Sequence, residues 1–435
     1  MNSGRHNRLR FQPLAWVLII LLCPALAAFA QEAVTTLAGS VLKSGSADGP
    51  ATNALFSDPT GLAIDAAGNV FVADNQNHTI RKLSTAGLVS TLAGRPGQSG
   101  SADGIGTNAF FNNPSGIVLA PNGLLYVTDT GNHTIRSVSL NGAVNKLAGV
   151  AGQSGATNGA GNQALFNTPL GIAVDQAGIL YVADSGNHQI RKVTAGGGVT
   201  TLAGSPGVWG ATDGTGEAAL FNGPVGLAVD GSGNVFVSDA NNHTIRKITP
   251  AGVVTTFAGV AGVTGANDGT GSGALFCKPA EMKIDRNGNL FVVDSFSHTI
   301  RELSPNAEVR TVAGLAGSGG AANGLGGQAR FFNPYGLAID HNGNLRVSDT
   351  YNQTVRFVYQ PITVLLARNP SDTGFVISWQ AAPGSTYQLQ YQDLDIVSPW
   401  QNLGGPVTVA GSLGMITDNS SPSASRRLYR VKLAP

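Results

Sequence analysis

The feature that most constrains the fold of this chain is an internal repeat with a period of 55 residues. Four residue types mark each of six units, and no insertion interrupts them. The aspartates are Asp74, Asp129, Asp184, Asp239, Asp294 and Asp349, and the arginines are Arg81, Arg136, Arg191, Arg246, Arg301 and Arg356. Phenylalanines recur from Phe56 to Phe331 and prolines from Pro59 to Pro334 with the same step. Such self-similarity predicts one supersecondary unit built six times.

Each unit has the pattern of four short strands joined by tight turns. In the first unit, apolar and β-branched residues fill positions 61–65, 70–74, 79–83 and 89–93, with turn residues between them. A four-stranded antiparallel sheet cannot bury both of its faces alone. Six sheets packed radially around an axis bury them and leave only short edges, which predicts an all-β six-bladed propeller. An open solenoid is the alternative.

The two ends of the repeat distinguish a ring from a solenoid. The sixth unit has three strands, but residues 364–368, in phase with the fourth strand, are followed by Asn369 where every other unit has glycine. The segment 34–38, followed by Gly39, matches the fourth-strand pattern and precedes the first unit. We therefore predict that this N-terminal strand completes the last blade and closes a propeller over residues 31–360.

One stretch of the repeat has a distinctive motif. The third unit contains Asp184-Ser-Gly-Asn-His188-Gln-Ile-Arg191, preceded by the strands at 171–175 and 179–184. These segments resemble the NHL repeat family, and the resemblance extends over about residues 34–358. It implies a six-bladed β-propeller. It implies no single activity, because that family includes lyases, RNA-binding proteins, sensor domains and scaffolds.

Both ends of the chain differ from the repeat in composition. Three arginines precede an apolar run over residues 14–22, and small residues at 28 and 30 suit a signal-peptidase site, so residues 1–30 are predicted to be a secretory signal. An uncleaved membrane anchor is the alternative. Residues 361–435 lose the period and show alternation, as in Tyr387-Gln-Leu-Gln-Tyr391, which predicts a small fibronectin-III or immunoglobulin-like β-domain acting as a spacer or adhesion module.

The charge of the chain argues against nucleic-acid binding. Charged residues make up 12% of the sequence. Three of the 26 basic residues lie in the predicted signal, so its removal leaves 23 basic and 25 acidic side chains. Nothing in this balance attracts nucleic acid or anionic lipid. Cys277 becomes the only cysteine, which excludes an intramolecular disulfide.

The repeat places an aspartate, a histidine and an arginine at a fixed spacing. If Asp74 pairs with Thr79 across the turn, Arg81 lies diagonally from Asp74 on the same sheet face, within reach of a long side chain. We therefore predict a partly buried polar clamp in each blade, with Gln353 in place of the sixth histidine. Its residues are Asp74, His78, Arg81, Asp129, His133, Arg136, Asp184, His188, Arg191, Asp239, His243, Arg246, Asp294, His298, Arg301, Asp349 and Arg356.

Two features of the repeat raise a metal hypothesis. A ring of imidazoles suggests zinc, but one histidine per blade lies on a circle too wide for bonds of about 2 Å to a single ion. Loop aspartates before glycine suggest calcium, but two units have asparagine there, which favours a role in the turns. These loop positions are Asp48, Asp103, Asn158, Asp213, Asp268 and Asn323. The sequence therefore predicts no metal site and no cofactor.

Residues that break the repeat are the candidates for specific binding. The fifth unit departs most, because Glu281 and Lys283 replace a glycine and a small residue of the innermost strand, where they are expected to lie near the axial channel. Cys277 and Lys278 stand just before them. A lone ion pair filling the space of the glycine is the alternative. Single large residues expected on the loop-rich side complete the set, namely Arg95, Trp209, Arg330, Tyr335 and Tyr351.

Two function classes follow from these observations. The favoured one is a secreted, periplasmic or cell-surface binding or scaffold module, whose loop-rich face engages an extracellular protein or a glycan. It has no nucleic-acid partner and no stable membrane insertion after signal cleavage. The alternative is a lyase or lactonase-type hydrolase, with a metal at the mouth of the channel. That enzyme needs three or four ligands that converge from different blades, and we assign no catalytic residue.

Overall fold

The computed structural model describes residues 32–359 without a gap and, after them, residues 364–368, 375–380, 386–393, 401–409, 413–418 and 427–433. The predicted signal at 1–30 lies outside the described residues. Within those ranges, no helix has the length and the apolar character needed to cross a membrane.

Six antiparallel sheets form the blades of a β-propeller. From the innermost to the outermost strand, blade 1 consists of Pro59–Ile64, Val70–Asp74, Thr79–Leu83 and Leu88–Gly94, and blade 2 of Pro114–Leu119, Leu125–Asp129, Thr134–Val138 and Ala143–Ala148. Blade 3 consists of Pro169–Val174, Leu180–Asp184, Gln189–Val193 and Val199–Ala203, and blade 4 of Pro224–Val229, Val235–Asp239, Thr244–Ile248 and Val253–Ala258. Blade 5 consists of Pro279–Ile284, Leu290–Asp294, Thr299–Leu303 and Glu308–Gly314, and blade 6 of Leu337–Ile339, Leu345–Asp349, Thr354–Tyr359 and Ala33–Gly39.

The N-terminal strand closes the ring, as the sequence predicts. Ala33–Gly39 pairs antiparallel with Thr354–Tyr359, with Val34 opposite Val358. The innermost strand of blade 6 contacts that of blade 1, so each blade has two neighbours. An open solenoid is thereby excluded.

The outer edges of the blades differ from the four-stranded expectation. In five blades, a two-residue strand from the preceding connection pairs with the outermost strand: Gly49–Pro50, Gly104–Ile105, Gly214–Thr215, Gly269–Thr270 and Gly324–Leu325. In blade 3 a single bridge joins Gly159 to Val199. These short segments show no alternation of apolar and polar residues, yet they cover edges that would otherwise expose unpaired backbone groups.

The hydrophobic core lies between the blades. Phe71 and Ile80 of blade 1 pack with Phe111 and Val127 of the blade 2 side. The sixth interface joins Ala38 and Val355 to Leu62 and Val72 in the same way. Apolar residues on both faces of each sheet are thus buried, which is why consecutive residues of a second strand, such as residues 70–73, are apolar rather than alternating.

Short 3-10 helices follow each second strand and turn the chain into the third strand. They are Asn75–Asn77, Thr130–Asn132, Ser185–Asn187, Ala240–Asn242, Ser295–Ser297 and Thr350–Asn352. Four more, after the short edge strands, are Gly106–Asn108, Gly216–Ala218, Gly271–Gly273 and Gly326–Gln328. Because Pro59 pairs with Asp74 and Thr79 with Gly94, the turns and the long connections lie on one face, which we call the loop-rich rim.

The C-terminal segments form two further sheets. Val364–Arg368, Phe375–Gln380 and Leu413–Asp418 make one, while Thr386–Asp393 pairs with Gln401–Asn402, Val407–Thr408 and Arg427–Leu433 in the other. Buried Trp379 and Tyr387 join the two sheets, with their ring centroids 5.9 Å apart. The fibronectin-III or immunoglobulin-like assignment stays a prediction.

Candidate functional site

An arginine buried within each blade joins two acidic or amide side chains. Its Nη1 donates to the aspartate at the end of the second strand at 2.7–3.1 Å, and both side chains are at most 1% exposed. Its Nη2 donates to the loop aspartate or asparagine before the glycine, at 2.6–2.8 Å. The guanidinium carbon also lies 5.2–5.4 Å from the centroid of the repeated phenylalanine. The loop residues therefore tie the connection to the blade, a contact that turn chemistry alone does not predict.

The buried aspartates are fully engaged within their own blades. Asp74 also accepts the Ser57 backbone N–H at 2.7 Å and the Asn77 amide at 2.8 Å. Burial raises the pKa of Asp74 to about 6, although the arginine and the other donors act in the opposite direction. The same cause raises the pKa of Asp129 and Asp239 to about 6 and that of Asp294 to about 7. No lone carboxylate is thus free here for a ligand.

The histidines do not belong to this clamp, contrary to the prediction that grouped them with it. Each follows its 3-10 turn in the left-handed conformation, with φ of 57–61°. This backbone directs the imidazole toward the following blade, where Nδ1 accepts a backbone N–H at 3.0–3.2 Å. Gln353 takes this place between blades 6 and 1, where its Oε1 accepts the Asp58 N–H at 2.7 Å. These residues therefore join neighbouring blades.

The described part of the chain contains no cluster of side chains that would support the metal hypothesis. No group of three or more His, Cys, Asp or Glu side chains there is placed to hold one ion. The Nδ1 atoms of the five blade histidines already accept backbone N–H groups, as described above. The lyase or lactonase alternative thus gains no supporting observation from these residues.

At the position of Gly61 and its equivalents, the innermost strand lies too close to the backbone of the next blade to leave room for a side chain. A Cβ added to Gly61, Gly116, Gly171, Gly226 or Gly336 would lie 1.9–2.4 Å from a carbonyl oxygen of the next blade. Glu281 occupies this position in blade 5, so the interface between blades 5 and 6 differs from the other five. There the Glu281 N–H donates to the Tyr335 carbonyl at 3.2 Å, and the innermost strand of blade 6 is shortened to Leu337–Ile339.

The charged pair of blade 5 lies at the centre of the ring. Glu281 is 3% exposed, and Lys283 Nζ lies 2.5 Å from its Oε1. Burial raises the pKa of the Glu281 carboxyl, against the opposing effect of Lys283. Burial also raises the pKa of Tyr335, and the Glu281 charge adds to this shift. Lys283 lines a cavity at the far end of the innermost strands.

The loop-rich rim carries two groups of aromatic side chains at blades 5 and 6. The Phe332 ring packs edge-on against His298 on one side (5.8 Å between centroids) and Tyr351 on the other (5.4 Å). Lys278 Nζ lies 5.6 Å from the centroid of Phe296. We call Lys278, Phe296, Phe332 and Tyr351 the rim patch. Phe296 and Tyr351 are 52% and 49% exposed.

Two members of the rim patch, Phe296 and Phe332, were not among the sequence candidates. The same criterion finds them, because at least four of the other units have small or polar residues in their places. At the position of Phe296 stand Gln76, Gly131, Gly186, Asn241 and, in the sixth unit, Tyr351; at that of Phe332 stand Ser57, Asn112, Asn167, Asn222 and Cys277. Departures from the repeat therefore concentrate in one sector of the ring.

The remaining sequence candidates lie elsewhere or serve the local structure. Trp209 is 67% exposed in the connection before blade 4, and exposed Arg95 follows the outer strand of blade 1. Arg330 Nη1 donates to the carbonyls of Gly327 and Ala329. Half-buried Cys277 donates its backbone N–H to Asp294, and burial raises the pKa of its thiol.

Comparison with known proteins identifies the repeat. Residues 56–83, 111–136, 166–193 and 221–248 match the model of the NHL repeat. The chain carries NHL repeats. It is 30% identical over 317 residues to Protein SUPPRESSOR OF QUENCHING 1, chloroplastic, of Arabidopsis thaliana, and 28% identical over 320 residues to NHL repeat-containing protein 2 of Homo sapiens. These matches cover 69% and 66% of this chain, which spans only 30% and 44% of the two relatives.

Solved structures with NHL-like propellers share the fold. One, a protein of unknown function from Bacteroides thetaiotaomicron, is 24% identical with a TM-score of 0.60. Another from the same organism, described as an auxiliary nutrient binding protein, is 17% identical with a TM-score of 0.58. Each match covers 75% of this chain and 76% of the other. At these identities the likeness shows the β-propeller fold alone.

Proposed function

We propose that this NHL-repeat propeller is an extracytoplasmic binding protein that holds a glycan on the rim patch of blades 5 and 6. The observation that carries the proposal is the concentration of unique, exposed side chains in one sector of a symmetric scaffold. A residue needed for folding recurs in each blade, whereas a residue needed for one ligand is required only where that ligand binds.

The chemistry of the rim patch suits a carbohydrate. Aromatic rings offer apolar faces against which the C–H faces of a sugar ring pack. The edge-on contact of Phe332 with Tyr351, with an interplanar angle of 88°, turns these two rings in different directions. Lys278 Nζ bonds to the Asn241 side chain at 3.0 Å, which places an ammonium and an amide beside Phe296 to bind hydroxyl groups.

The backbone at Lys278 supports a functional role for this lysine. The residue before the innermost-strand proline has a positive φ in every blade, and Lys278 has a φ of 52°. Asparagine, aspartate and glycine tolerate this conformation best, and they occupy it in four of the six blades. A lysine there gives up local stability, as residues of binding sites often do.

The proposal also includes the location of the protein outside the cytoplasm and a role for the C-terminal residues 361–435. The arginines and the apolar run before residue 30 support export from the cytoplasm. The structural neighbour described as an auxiliary nutrient binding protein is compatible with glycan capture there. Residues 361–435 would then act as a spacer or adhesion module beside the propeller.

The experiment replaces the aromatic residues of the rim patch with residues that other blades have at the same positions of the repeat. A triple variant, Phe296→Asn, Phe332→Asn and Tyr351→Gly, introduces residues that other blades have at these positions. A glycan array followed by calorimetry on its best ligand should show at least about tenfold weaker binding, since stacking aromatics dominate such sites. The melting temperature should stay close to that of the parent.

A matched control changes the same position of the repeat in blade 1, outside the rim patch. Gln76→Gly in blade 1 introduces the residue of blades 2 and 3 and should leave binding unchanged. Equal affinity of the triple variant and the parent would contradict the proposal. If a purified protein bound through the rim patch and no glycan did, the ligand class would be wrong while the location of the site would stand.

A further inference from the structure

A small cavity lies at the centre of the ring, at the end of the innermost strands away from the loop-rich rim. Its volume is about 140 Å³, and its walls come from blades 1, 2, 5 and 6. Ala63, Val118 and Ala338 are among the apolar residues that line it, together with the aliphatic ends of the same strands. Lys283 is the one charged side chain of this lining. The rim patch plays no part in it.

The ammonium of Lys283 is fixed at the wall of this cavity. One of its three N–H groups donates to Glu281 Oε1 at 2.5 Å, and Glu281 is itself buried. The Lys283 side chain is 19% exposed, and three of its neighbours in the cavity wall, Ala63, Val118 and Ala338, are apolar. The other five blades have only alanine or valine here, namely Ala63, Val118, Ala173, Ala228 and Ala338.

An apolar cavity with one anchored cation selects a particular kind of ligand. We infer that it binds a short-chain aliphatic carboxylate, whose oxygens accept hydrogen bonds from Lys283 Nζ and whose hydrocarbon tail packs on Ala63, Val118 and Ala338. The volume corresponds to roughly four or five water molecules, which suits a chain of acetate to butyrate length. A sugar or a phosphate would leave most of its polar groups unpaired against these walls.

The first experiment measures, by calorimetric titration at constant ionic strength, the affinity of the full chain for sodium acetate, propionate, butyrate and hexanoate. Affinity should increase about fourfold per methylene from acetate to butyrate, as apolar burial predicts, and then stop increasing. Neutral butyramide should bind at least about tenfold more weakly, because it lacks the charge. Equal affinity for butyrate and butyramide, or no saturable butyrate binding, would overturn the inference.

Two substitutions should act in opposite directions. Lys283→Met keeps the length of the side chain and should abolish butyrate binding. Glu281→Gln keeps the hydrogen bond but removes the carboxylate that competes for the ammonium, and should tighten binding by about tenfold. Butyrate binding that survives Lys283→Met, or that weakens in Glu281→Gln, would contradict the assignment.

A consensus variant controls for folding. Glu281→Gly with Lys283→Ala restores the residues of blades 1, 3, 4 and 6, and should melt as a cooperative propeller without binding butyrate. The rim-patch triple variant should bind butyrate like the parent. A failure of the proposed carboxylate site at Lys283 can therefore be distinguished from a failure of the proposed glycan site at the rim patch.

Discussion

The histidines between the blades predict a specific loss of stability at acid pH. Each Nδ1 accepts a backbone N–H only while the imidazole is neutral, and burial lowers the pKa of His78, His133, His188, His243 and His298. A Lys278 charge beside His243 adds to that shift. The unfolded chain therefore binds these protons at a higher pH than the folded chain. Their contribution to stability is complete above about pH 6.5 and is lost as the pH falls below it.

The perturbation is a fivefold replacement of these histidines by glutamine. Gln353 shows that a glutamine makes the same inter-blade bond, at 2.7 Å, without titrating. Five hydrogen bonds at about 0.5 kcal/mol each, the low end of the usual range because the imidazoles are half-buried, give roughly 2–3 kcal/mol. The parent should lose that much more unfolding free energy than the variant between pH 7.5 and pH 5.5.

Urea denaturation of both proteins at half-unit pH steps measures this difference. The buried aspartates also titrate, but they are the same in both proteins and cancel in the comparison. The two proteins should have similar stability at pH 7.5 and diverge below pH 6.5. Parallel curves over the whole range would refute the reasoning, because the inter-blade bonds would then not depend on the charge of the imidazole.

The buried clamp gives two further predictions, both measured by urea denaturation at pH 7. Arg136→Met should lower the unfolding free energy by about 3 kcal/mol or more, because Asp129 is left buried without its cation, and adding Asp129→Asn should recover part of that loss. Asn158→Asp should raise it by about 0.5–1 kcal/mol, since it gives Arg191 the second carboxylate that four other blades have. A loss of stability in Asn158→Asp would show that a neutral acceptor is required in blade 3.

The period of the repeat was sufficient to predict most of the propeller. It places Asp74 opposite Thr79, as the structure confirms, and it assigns the N-terminal strand to blade 6. The two-residue edge strands could not be predicted, because segments such as Gly49–Pro50 have neither alternation nor length. The direction of the histidines could not be predicted either, since it depends on the left-handed turn that precedes each third strand.

The sequence criterion for the candidate site was correct, but it identified only some of the residues of the rim patch. Departure from the repeat identified Lys278 and Tyr351, and the same principle applied to every position would have added Phe296 and Phe332. The sequence already assigned Glu281 and Lys283 to the axial channel and Tyr351 to the loop-rich side, and the structure keeps these two environments apart. Glu281 and Lys283 lie at the centre of the ring and the aromatic residues on the rim, because the innermost strand and the turns occupy different radii.

A crystal structure of the full chain with its best array glycan would show directly whether the unique sector of the ring binds the ligand. We expect a sugar ring stacked on Phe332 or Tyr351, with Lys278 within hydrogen-bond distance of its oxygens. A glycan bound with full occupancy on the rim of blades 1 to 3, with the aromatic rings of blades 5 and 6 bare, would contradict this expectation.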